Sequence, residues 1–365
     1  MPKLYFVIFI VIALSVYSAM HWFVYQRIAS GLGLAAGQRL VLKIIMLAGA
    51  LSFILAEFLS RQKPLYLMRF VGSVWLGIMA IALAFLLLEA LAALLFPGSR
   101  HSLVIAALTI ISLVSGFSIF NAQRNPVVRE IELPVSNLPA ELAGFTIVHL
   151  SDLHLGNLTP LKRLRWIVSR VNSLAPDLIC VTGDILDGDI CRGEDYCQLL
   201  LELKARHGVV AVTGNHEFYA GLDLFTELAR KSNWRVLRNQ AWTIDNKLAI
   251  IGLDDDAGKS FKFSGPDLST ALRSTTANIP KILLYHRPDD FARAVRQGID
   301  LLLSGHTHAG QIPPMDFLVW LIYKYPSGLY RLGQSHIYTS AGTGTWGPPM
   351  RFLSRSEIVK LTLGR

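Results

Sequence analysis

Four long apolar segments occupy the first third of the sequence and restrict the possible folds more than any other feature. They lie at about 4–25, 40–60, 70–96 and 102–120. Each is close to the roughly 20 residues that an α-helix needs to cross the hydrocarbon core of a bilayer. The hydrophobic fraction of 52% for the whole chain agrees with partial burial in lipid. We therefore predict a membrane region at residues 1–126, an all-α bundle of four transmembrane helices.

The charge distribution predicts the orientation of this region. Residues 1–126 contain nine Lys and Arg but two Asp and Glu, so most of the net charge of +9 lies there. Basic residues are more frequent on the cytoplasmic side of membrane helices, so their positions predict the orientation of the helices. Because the basic excess lies in the apolar part of the chain, we expect no nucleic-acid partner. With the N-terminus inside, the inner flanks carry Lys3, Arg61, Lys63, Arg69, Arg124 and Arg129, and the outer flanks carry Arg27, Arg39 and Arg100, with Lys43 at the border. This excess predicts an integral protein of the bacterial inner membrane with a cytoplasmic C-terminal half.

Glu89 lies inside the third apolar segment, where an ionisable side chain is costly. Two explanations stay open for it. It could mark a functional site within the membrane, or it could lie near a helix end and reach water or a neighbouring helix. A transporter is the weaker interpretation of the apolar segments, because one carboxylate makes a poor pathway.

The second domain is predicted to begin at residue 127. Pro126, Pro134 and Pro139 interrupt the helical pattern, and "VVREIEL" at 127–133 alternates like a strand. From residue 145 onward, short apolar runs alternate with helix-like stretches at 160–174, 195–206, 222–231 and 288–297. This alternation predicts a layered α/β domain over residues 127–365.

Five of the apolar runs end in side chains that bind metals well. These are Asp152 and His154, Asp184 and Asp187, Asn215 with His216 and Glu217, His286, and finally His306 and His308. Side chains two residues apart in an extended segment point the same way, so the pairs after the first and last runs can each bind one ion. Open α/β sheets bind ligands at the carboxyl ends of their strands, which is where all five groups fall. A mixed imidazole and carboxylate set favours Mn, Fe or Zn over Ca, and about seven ligands suit two adjacent ions.

Five motifs over residues 140–365 resemble, in order, those of the calcineurin-like metallophosphoesterases. They are "SDLHLG", "GDILD", "GNHE", "LLYHRP" and "SGHTHAGQ". The closing "SAGTGTWGPPMRF" and "EIVKLTL" are similar to the branch with YkuE- and YaeI-type phosphodiesterases. The resemblance implies a four-layer α/β/β/α sandwich, here preceded by the helical bundle.

The resemblance also implies a role for each motif residue. One divalent metal would be held by Asp152, His154 and His308, and a second by Asn215, His286 and His306, with Asp184 bridging them. His216 would be the catalytic acid at the scissile phosphate. Glu217 is expected to orient its neighbours rather than bind metal.

These residues predict a membrane-anchored phosphoesterase with two divalent cations. We expect it to hydrolyse a phosphodiester or pyrophosphate bond, in a substrate linked to lipid, through a hydroxide shared by the two metals. Its partners would be the lipid bilayer and that phosphoester. The alternative is a membrane scaffold that uses the same fold to bind partners without catalysis. The complete ligand set favours the enzyme.

Three further features leave alternatives. Arg287 could reach a substrate phosphate or lie on the surface. The "DDD" at 254–256 is expected to be a solvated loop. The apolar stretch 312–325 is either part of the core or a lip that faces the bilayer, where Trp320 would contact the substrate. The side chains of this proposed lip are Phe317, Leu318, Trp320, Leu321 and Tyr323, with Lys324 at the headgroups.

Overall fold

A computed structural model describes residues 2–59, 66–156, 158–187, 193–276 and 278–365. The described chain forms two compact units. The helical unit contains the residues up to 123 together with 312–314 and 347–352, and the α/β unit contains the rest. The boundary therefore falls three residues before the predicted position, and two short segments from the C-terminal half belong to the helical unit.

The helical unit is built from four long helices within the described part of the chain. They are α1 (Pro2–Gly31), α2 (Ala36–Leu59), α3 (Tyr66–Leu95) and α4 (Arg100–Gln123). Among the described residues, three stretches are long and apolar enough to cross a membrane: Ala36–Ala56, Tyr66–Leu95 and Pro97–Gln123. Helix α1 covers the first predicted span, whose crossing stays a prediction. Arg61 and Lys63, which support the predicted orientation, lie outside the described residues.

Small residues allow close packing of α2 against α3. A Cβ added at Gly72 would lie 2.8 Å from the Cα atom of Phe53, and one at Gly49 would overlap the indole ring of Trp75. Interfaces between membrane helices depend on such small residues, because lipid provides no hydrophobic drive for helices to associate. Gly49 and Gly72 therefore allow α2 and α3 to pack closely against each other.

Glu89 is paired with a residue of another helix. Its Oε2 atom accepts hydrogen bonds from Nε and Nη2 of Arg27 at 2.9 and 2.6 Å. The Glu89 side chain is 2% exposed. The pairing agrees with the structural alternative for Glu89, in which it reaches a neighbouring helix, and gives no sign of a transport pathway.

The segment 347–352 is part of the helical core. The backbone N–H of Arg351 donates to the carbonyl of Ser118 at 2.9 Å, and Nδ2 of Asn121 donates to the carbonyl of Arg351 at 3.0 Å. Met350 is fully buried in the apolar cluster of this unit, and Phe352 packs edge-on against Phe117. Helix α4 is therefore bonded to a segment that follows it by more than 200 residues.

The α/β unit contains two six-stranded sheets within its described residues. The first has the order β1-β12-β2-β3-β4-β5 and the second β10-β11-β9-β8-β7-β6. Strands β2 to β5 of the first sheet run parallel, as do β7, β8, β9 and β11 of the second. The strands of the first sheet are β1 (Val127–Pro134), β2 (Thr146–Leu150), β3 (Leu178–Val181), β4 (Val209–Ala211), β5 (Arg235–Val236) and β12 (Glu357–Gly364). Those of the second are β6 (Gln240–Ile244), β7 (Leu248–Gly252), β8 (Lys281–Leu284), β9 (Leu301–Ser304), β10 (Gly328–Leu332) and β11 (Ser335–Thr339).

Helices cover the outer faces of the two sheets. They are α5 (Leu161–Ser173), α6 (Gly193–Leu201), α7 (Asn215–Ala220), α8 (Leu222–Lys231), α9 (Leu268–Leu272) and α10 (Phe291–Arg296), whereas α11 (Met315–Ile322) packs against the turn at 308–310. Alternate residues of a strand face opposite sides, so Ile147 packs between the sheets while Val148 packs against α5, α6 and α8. The second sheet has a similar outer cluster with α9 and α10. The predicted four-layer α/β/β/α sandwich is confirmed.

Candidate metal centre

The predicted ligands follow the carboxyl ends of five strands, as expected. Asp152 and His154 follow β2, Asp184 follows β3, Asn215 follows β4, His286 follows β8, and His306 and His308 follow β9. Several of them adopt a backbone conformation that is rare for residues with a side chain. The φ angles are 53° for Asp152, 45° for His154, 51° for Asp184, 72° for His306 and 51° for His308. Such strained backbone persists where the surrounding structure enforces it, and it concentrates at functional sites.

Two glycines bring the loops after β3 and β4 into contact. Gly183 has a φ of 87°, and a Cβ there would lie 2.7 Å from the Cα atom of Gly214. A Cβ at Gly214 would in turn lie 2.6 Å from the backbone nitrogen of Asp184. Only glycine fits both positions without displacing backbone. This close approach places Asp184 beside Asn215 and His216.

The first group of candidate ligands comprises Asp152, His154 and His308. Their ligand atoms lie within 4.8 Å of one another, and all three residues are buried. The Nε2 atoms of His154 and His308 are 3.0 Å apart, and that of His308 is 3.3 Å from Oδ1 of Asp152. Neutral imidazoles whose lone pairs converge in this way suit a shared cation. The arrangement matches the first metal site that the sequence predicts.

The second group comprises Asp184, His286 and His306, again within 4.8 Å. Nε2 of His286 lies 3.2 Å from Oδ2 of Asp184 and 3.2 Å from Nδ1 of His306. The same Asp184 oxygen is 3.8 Å from Nε2 of His154 in the first group. Asp184 thus lies between the two groups, as a bridging ligand has to.

Asn215 provides an independent test of whether this pocket fits a metal. Its Oδ1 atom is buried and has no hydrogen-bond partner among the described residues. A buried amide oxygen without a partner costs free energy that a cation would recover. Together with the imidazole and carboxylate atoms of the two groups, this donor set fits two divalent cations of the Mn, Fe or Zn type. The predicted role of Asn215 as a ligand rests on this atom.

The electrostatics of the two groups are strongly coupled. Burial alone would raise the pKa of Asp184, but the charge and hydrogen bond of His286, with the charges of His216 and His154, hold that pKa well below its usual value. Burial lowers the pKa of His286, whereas the carboxylates of Asp184 and Asp152 raise it to about 10. The imidazoles around Asp184 therefore hold its carboxylate in the ionised form.

Neighbouring backbone groups hold the ligands in place. Nδ1 of His286 is 2.7 Å from the carbonyl of Thr182, so this nitrogen carries the proton and Nε2 faces the pocket. The Glu217 carboxylate accepts backbone N–H groups from Asp184, Ile185 and Gly214 at 2.6–2.8 Å. Glu217 is fully buried and makes no contact of the metal-ligand kind in the described structure. Its geometry agrees with the predicted orienting role.

His216, for which the resemblance implies the role of an acid, forms a third close group with His154 and Asp184, whose ligand atoms also lie within 4.8 Å of one another. Its backbone N–H donates to Oδ1 of Asp184 at 2.9 Å, and its side chain is 12% exposed. Nδ1 of His216 lies 3.3 Å from Oδ1 of Asp187, which is also 3.7 Å from Nδ1 of His154. The sequence analysis named Asp187 only as one of the polar residues that follow an apolar run. The structure shows instead a carboxylate directed at two imidazoles, and no local signal in the sequence could have indicated this.

The interpretation of 254–256 as a solvated loop is wrong for two of its three residues. Asp254 and Asp255 are 1% and 0% exposed, and only Asp256 is exposed. Asp255 accepts two hydrogen bonds from Arg287, at 2.8 and 3.2 Å. Asp254 accepts two from Arg238, at 2.9 and 2.8 Å. Buried carboxylates of this kind are stable because each has a guanidinium partner, which lies far away in the sequence.

Arg287 is placed beside the second group of ligands. Its Nη1 atom is 3.4 Å from Nε2 of His306, and Asp255 holds the other side of the guanidinium. Burial lowers the pKa of Arg287, but Asp255 raises it above the ordinary value, so the group is a permanent cation. Arg287 is half-buried beside the candidate centre, and its contact with a substrate phosphate stays a prediction.

Exposed aromatic residues that the sequence did not single out surround His216. The rings of Tyr219 and Trp346 have centroids 5.5 and 6.0 Å from that of His216. Two hydrogen bonds with the Gln311 side chain fix the backbone of Trp346. The Trp346 N–H donates to Oε1 of Gln311 at 3.0 Å, and Nε2 of Gln311 donates to the Trp346 carbonyl at 2.7 Å. Gln311 closes the "SGHTHAGQ" motif, which gives that motif a second use beyond metal binding.

Helix α11 presents an exposed apolar surface. Trp320 is 66% exposed, and Phe317, Leu318, Leu321 and Ile322 are exposed as well, whereas Val319 is 8% exposed. The core alternative for this stretch therefore holds for Val319 but not for its neighbours. Tyr323, which was also assigned to the lip, is half-buried, and its ring packs edge-on against His306 with centroids 6.0 Å apart.

A groove of about 740 Å³ lies beside this helix, within the α/β unit. Phe317, Val319 and Trp320 line one wall of it, and Ala309, which follows the candidate ligand His308, lines it too. Arg129 and Arg355 also border the groove. It thus combines apolar and cationic surface next to the residues of the candidate centre.

Comparison with known proteins identifies the family. A family profile described as "Calcineurin-like phosphoesterase" matches residues 145–310. The chain is 36% identical over 220 residues to an uncharacterized metallophosphoesterase of Aquifex aeolicus, which covers 60% of this chain and 84% of that protein. This chain belongs to the calcineurin-like metallophosphoesterase family. The motif resemblance is thereby confirmed.

Two further relatives resemble this metallophosphoesterase. The chain is 33% identical over 239 residues to the uncharacterized metallophosphoesterase YkuE of Bacillus subtilis, covering 62% of this chain and 82% of that protein. It is 36% identical over 278 residues to a transmembrane protein with metallophosphoesterase domain from Danio rerio, covering 73% of this chain and 63% of that protein. The chain spans a little under two thirds of the length of the fish relative and of several others that it matches.

Proposed function

We propose that this protein is a membrane-anchored phosphoesterase with two divalent cations, which hydrolyses a phosphodiester or pyrophosphate bond in a lipid-linked substrate. The observation that carries the hydrolase part is the convergence of two ligand groups on Asp184. A scaffold has no need for buried, strained ligands directed at a common point. The lipid-linked part is supported by the exposed apolar surface of α11 beside the same groups.

The residues divide into ligands and groups that act on the substrate. Asp152, His154 and His308 would hold one cation, and Asn215, His286 and His306 the other, with Asp184 shared. When bound, such cations neutralise charge on a phosphoryl group and lower the pKa of a water molecule. No serine or cysteine nucleophile is then required.

His216 would supply the proton for the leaving oxygen. Its Nδ1 atom is held by Asp187, which leaves Nε2 for the substrate and stabilises a protonated ring. Burial lowers the pKa of His216, but Asp187 and Asp184 raise it above its ordinary value. Arg287, held by Asp255, would bind a non-reacting phosphoryl oxygen.

The groove beside α11 would receive the apolar part of the substrate. Phe317 and Trp320 supply an apolar wall, and Arg355 supplies positive charge for a phosphate or headgroup, whereas Arg129 is paired with Glu357 of the same groove at 3.1 Å. Trp is common at the interface between lipid and water, which suits an exposed Trp320. A lipid phosphoester could then reach the metals while its chains stay in apolar surroundings.

For the location, we propose the bacterial inner membrane with the catalytic unit in the cytoplasm. This proposal rests on the excess of basic residues at the flanks that would be cytoplasmic. The membrane attachment itself is supported by the three apolar helices among the described residues and by the transmembrane name of the fish relative.

The decisive experiment uses the full chain, purified in detergent and loaded with Mn²⁺. It is incubated with a bacterial membrane lipid extract and, separately, with a soluble phosphodiester, and mass spectrometry follows the lipid phosphoesters. His308→Ala removes a candidate ligand, and His207→Ala is the matched control, because His207 stacks on Phe145 away from the candidate ligands.

We expect the wild type and His207→Ala to consume a lipid phosphoester and His308→Ala to leave it intact. Hydrolysis of the soluble diester without loss of any lipid would refute the lipid-linked part alone. Two bound metals with no hydrolysis of either substrate would favour the non-catalytic scaffold.

A further inference from the structure

A second groove lies in the helical unit, between α1 and α2. Its volume is about 750 Å³, and every lining residue belongs to these two helices. At the end near the short turn between them it is lined by Tyr25, Gln26, Arg39 and Lys43. Leu14, Leu47, Leu51 and Ile54 line the part further from the turn. The groove is therefore amphipathic along its length.

The polar end of the groove carries positive charge without a balancing carboxylate. No Asp or Glu is among its lining residues. Arg39 donates from Nε to the carbonyl of Leu34 at 2.8 Å, and Nζ of Lys43 lies 5.7 Å from the ring centre of Tyr25. Neither cation forms an ion pair in the part of the chain that the structure describes. Arg27, by contrast, is occupied by Glu89.

The length and surroundings of the groove select the class of ligand. From Arg39 to Ile54 the helix advances about 22 Å at 1.5 Å per residue. One leaflet contributes roughly 15 Å of hydrocarbon, so an acyl chain can lie along the groove with its headgroup at the cations. Trp22, which also lines the groove, is exposed, as are many apolar residues of both helices. A small soluble anion would have no use for the leucine-lined part.

We propose that the α1–α2 groove is a binding site for an anionic phospholipid. The phosphate lies between Arg39 and Lys43, and one acyl chain lies along Leu47 and Leu51. Basic pockets at the ends of membrane helices recognise acidic headgroups in this way. This lipid is a bound partner and not the substrate, because the site lies entirely in the helical unit and contains none of the candidate metal ligands.

The test measures lipid retained by the full chain. Protein in detergent is incubated with mixed micelles of equal amounts of phosphatidylglycerol and phosphatidylcholine, repurified, and extracted for mass spectrometry. The variant Arg39→Gln with Lys43→Gln removes the charge. Arg100→Gln is the matched control, because Arg100 donates to Ser30 and does not line the groove. Ala50→Trp keeps the charge but fills the apolar part.

We expect the wild type and Arg100→Gln to retain about one phosphatidylglycerol per chain in preference to phosphatidylcholine. The double variant should lose this preference by about tenfold or more, and Ala50→Trp should lose retention of both lipids. Circular dichroism confirms that each variant is helical. Equal retention of phosphatidylglycerol by the double variant and the wild type would overturn the proposal. So would displacement of the lipid by millimolar inorganic phosphate, because the groove would then be an anion site without lipid recognition.

Discussion

The Oδ1 atom of Asp187 lies 3.3 Å from Nδ1 of His216, at the rim of the candidate metal centre. Because the second ring nitrogen of His216 is directed elsewhere, this contact sets both the tautomer and the orientation of the imidazole. Burial raises the pKa of Asp187, but the hydrogen bonds and charges of His154 and His216 lower that pKa below its ordinary value. Asp187 therefore acts on the proposed acid without taking part in the predicted ligand set.

The first prediction follows from this contact. Asp187→Asn should lower the rate by about tenfold to a hundredfold for a substrate with a poor leaving group, because the His216 imidazolium loses its stabilising charge. Hydrolysis of a p-nitrophenyl diester should change much less, since that leaving group needs little protonation. Equal losses with both substrates would mean that Asp187 acts through His154 and the metal instead.

Asp184 belongs to the second ligand group, and its Oδ2 atom lies 3.8 Å from Nε2 of His154 in the first. Asp184→Asn keeps its size but removes the negative charge between two cations, so we expect loss of one metal and at least about a thousandfold of rate. Metal content by mass spectrometry and turnover of a soluble diester measure the two effects. Asp223→Asn, at an exposed position of α8, is the control and should change neither. Near-normal turnover by Asp184→Asn would exclude the two-metal interpretation.

His216 should be separable from metal binding. For His216→Ala we expect a rate loss of about 10²–10⁴, the usual value of general acid–base assistance, with both metals retained. A p-nitrophenyl leaving group should partly hide the defect. If metal analysis shows that one ion is lost together with the imidazole, then His216 is a ligand and not the acid.

The exposed surface of α11 is predicted to be needed for hydrolysis of a lipid substrate but not of a small soluble one. Trp320→Ser combined with Leu321→Ser should lower hydrolysis of the lipid substrate and leave that of a small soluble diester unchanged. Exposed positions rarely change stability by more than about 0.5 kcal/mol each, so Tm should stay close to that of the wild type. Leu201→Ser, at an exposed position of α6, is the matched control. Parallel loss of both activities would assign this face to structure rather than to lipid.

Membrane orientation is tested by a reporter fused after Arg365. The excess of basic residues on the predicted inner flanks leads us to expect activity of a cytoplasmic reporter. The same fusion with a reporter that is active only after export should be silent. The reverse pattern would place the catalytic unit outside and require a substrate in the outer leaflet.

The errors of the sequence reasoning share one cause. Asp254 and Asp255 were assigned to a solvated loop because their run contains no histidine and resembles a common turn of the family, yet Arg238 and Arg287 neutralise them in the fold. The contact of the Tyr323 ring with His306 was likewise not indicated by the apolar pattern of its segment. In each case the residue that makes the contact comes from another strand or loop. The local sequence pattern carries no information about that residue.

The sequence by itself determined the helices of the first unit, the α/β layers of the second and the identities of the candidate ligands. Each depends on chemistry that is local along the chain: apolar length, strand alternation, and ligand side chains placed directly after buried strands. Only the tertiary structure decided which distant residues meet. It paired Arg27 with Glu89 across 62 positions, placed Asp187 at His216, and bonded the segment 347–352 to helix α4. The physical reason is that a buried charge, or a backbone N–H or carbonyl without a hydrogen bond, needs a partner. Many residues along the chain could serve as that partner, and the packing of the helices and strands selects one of them.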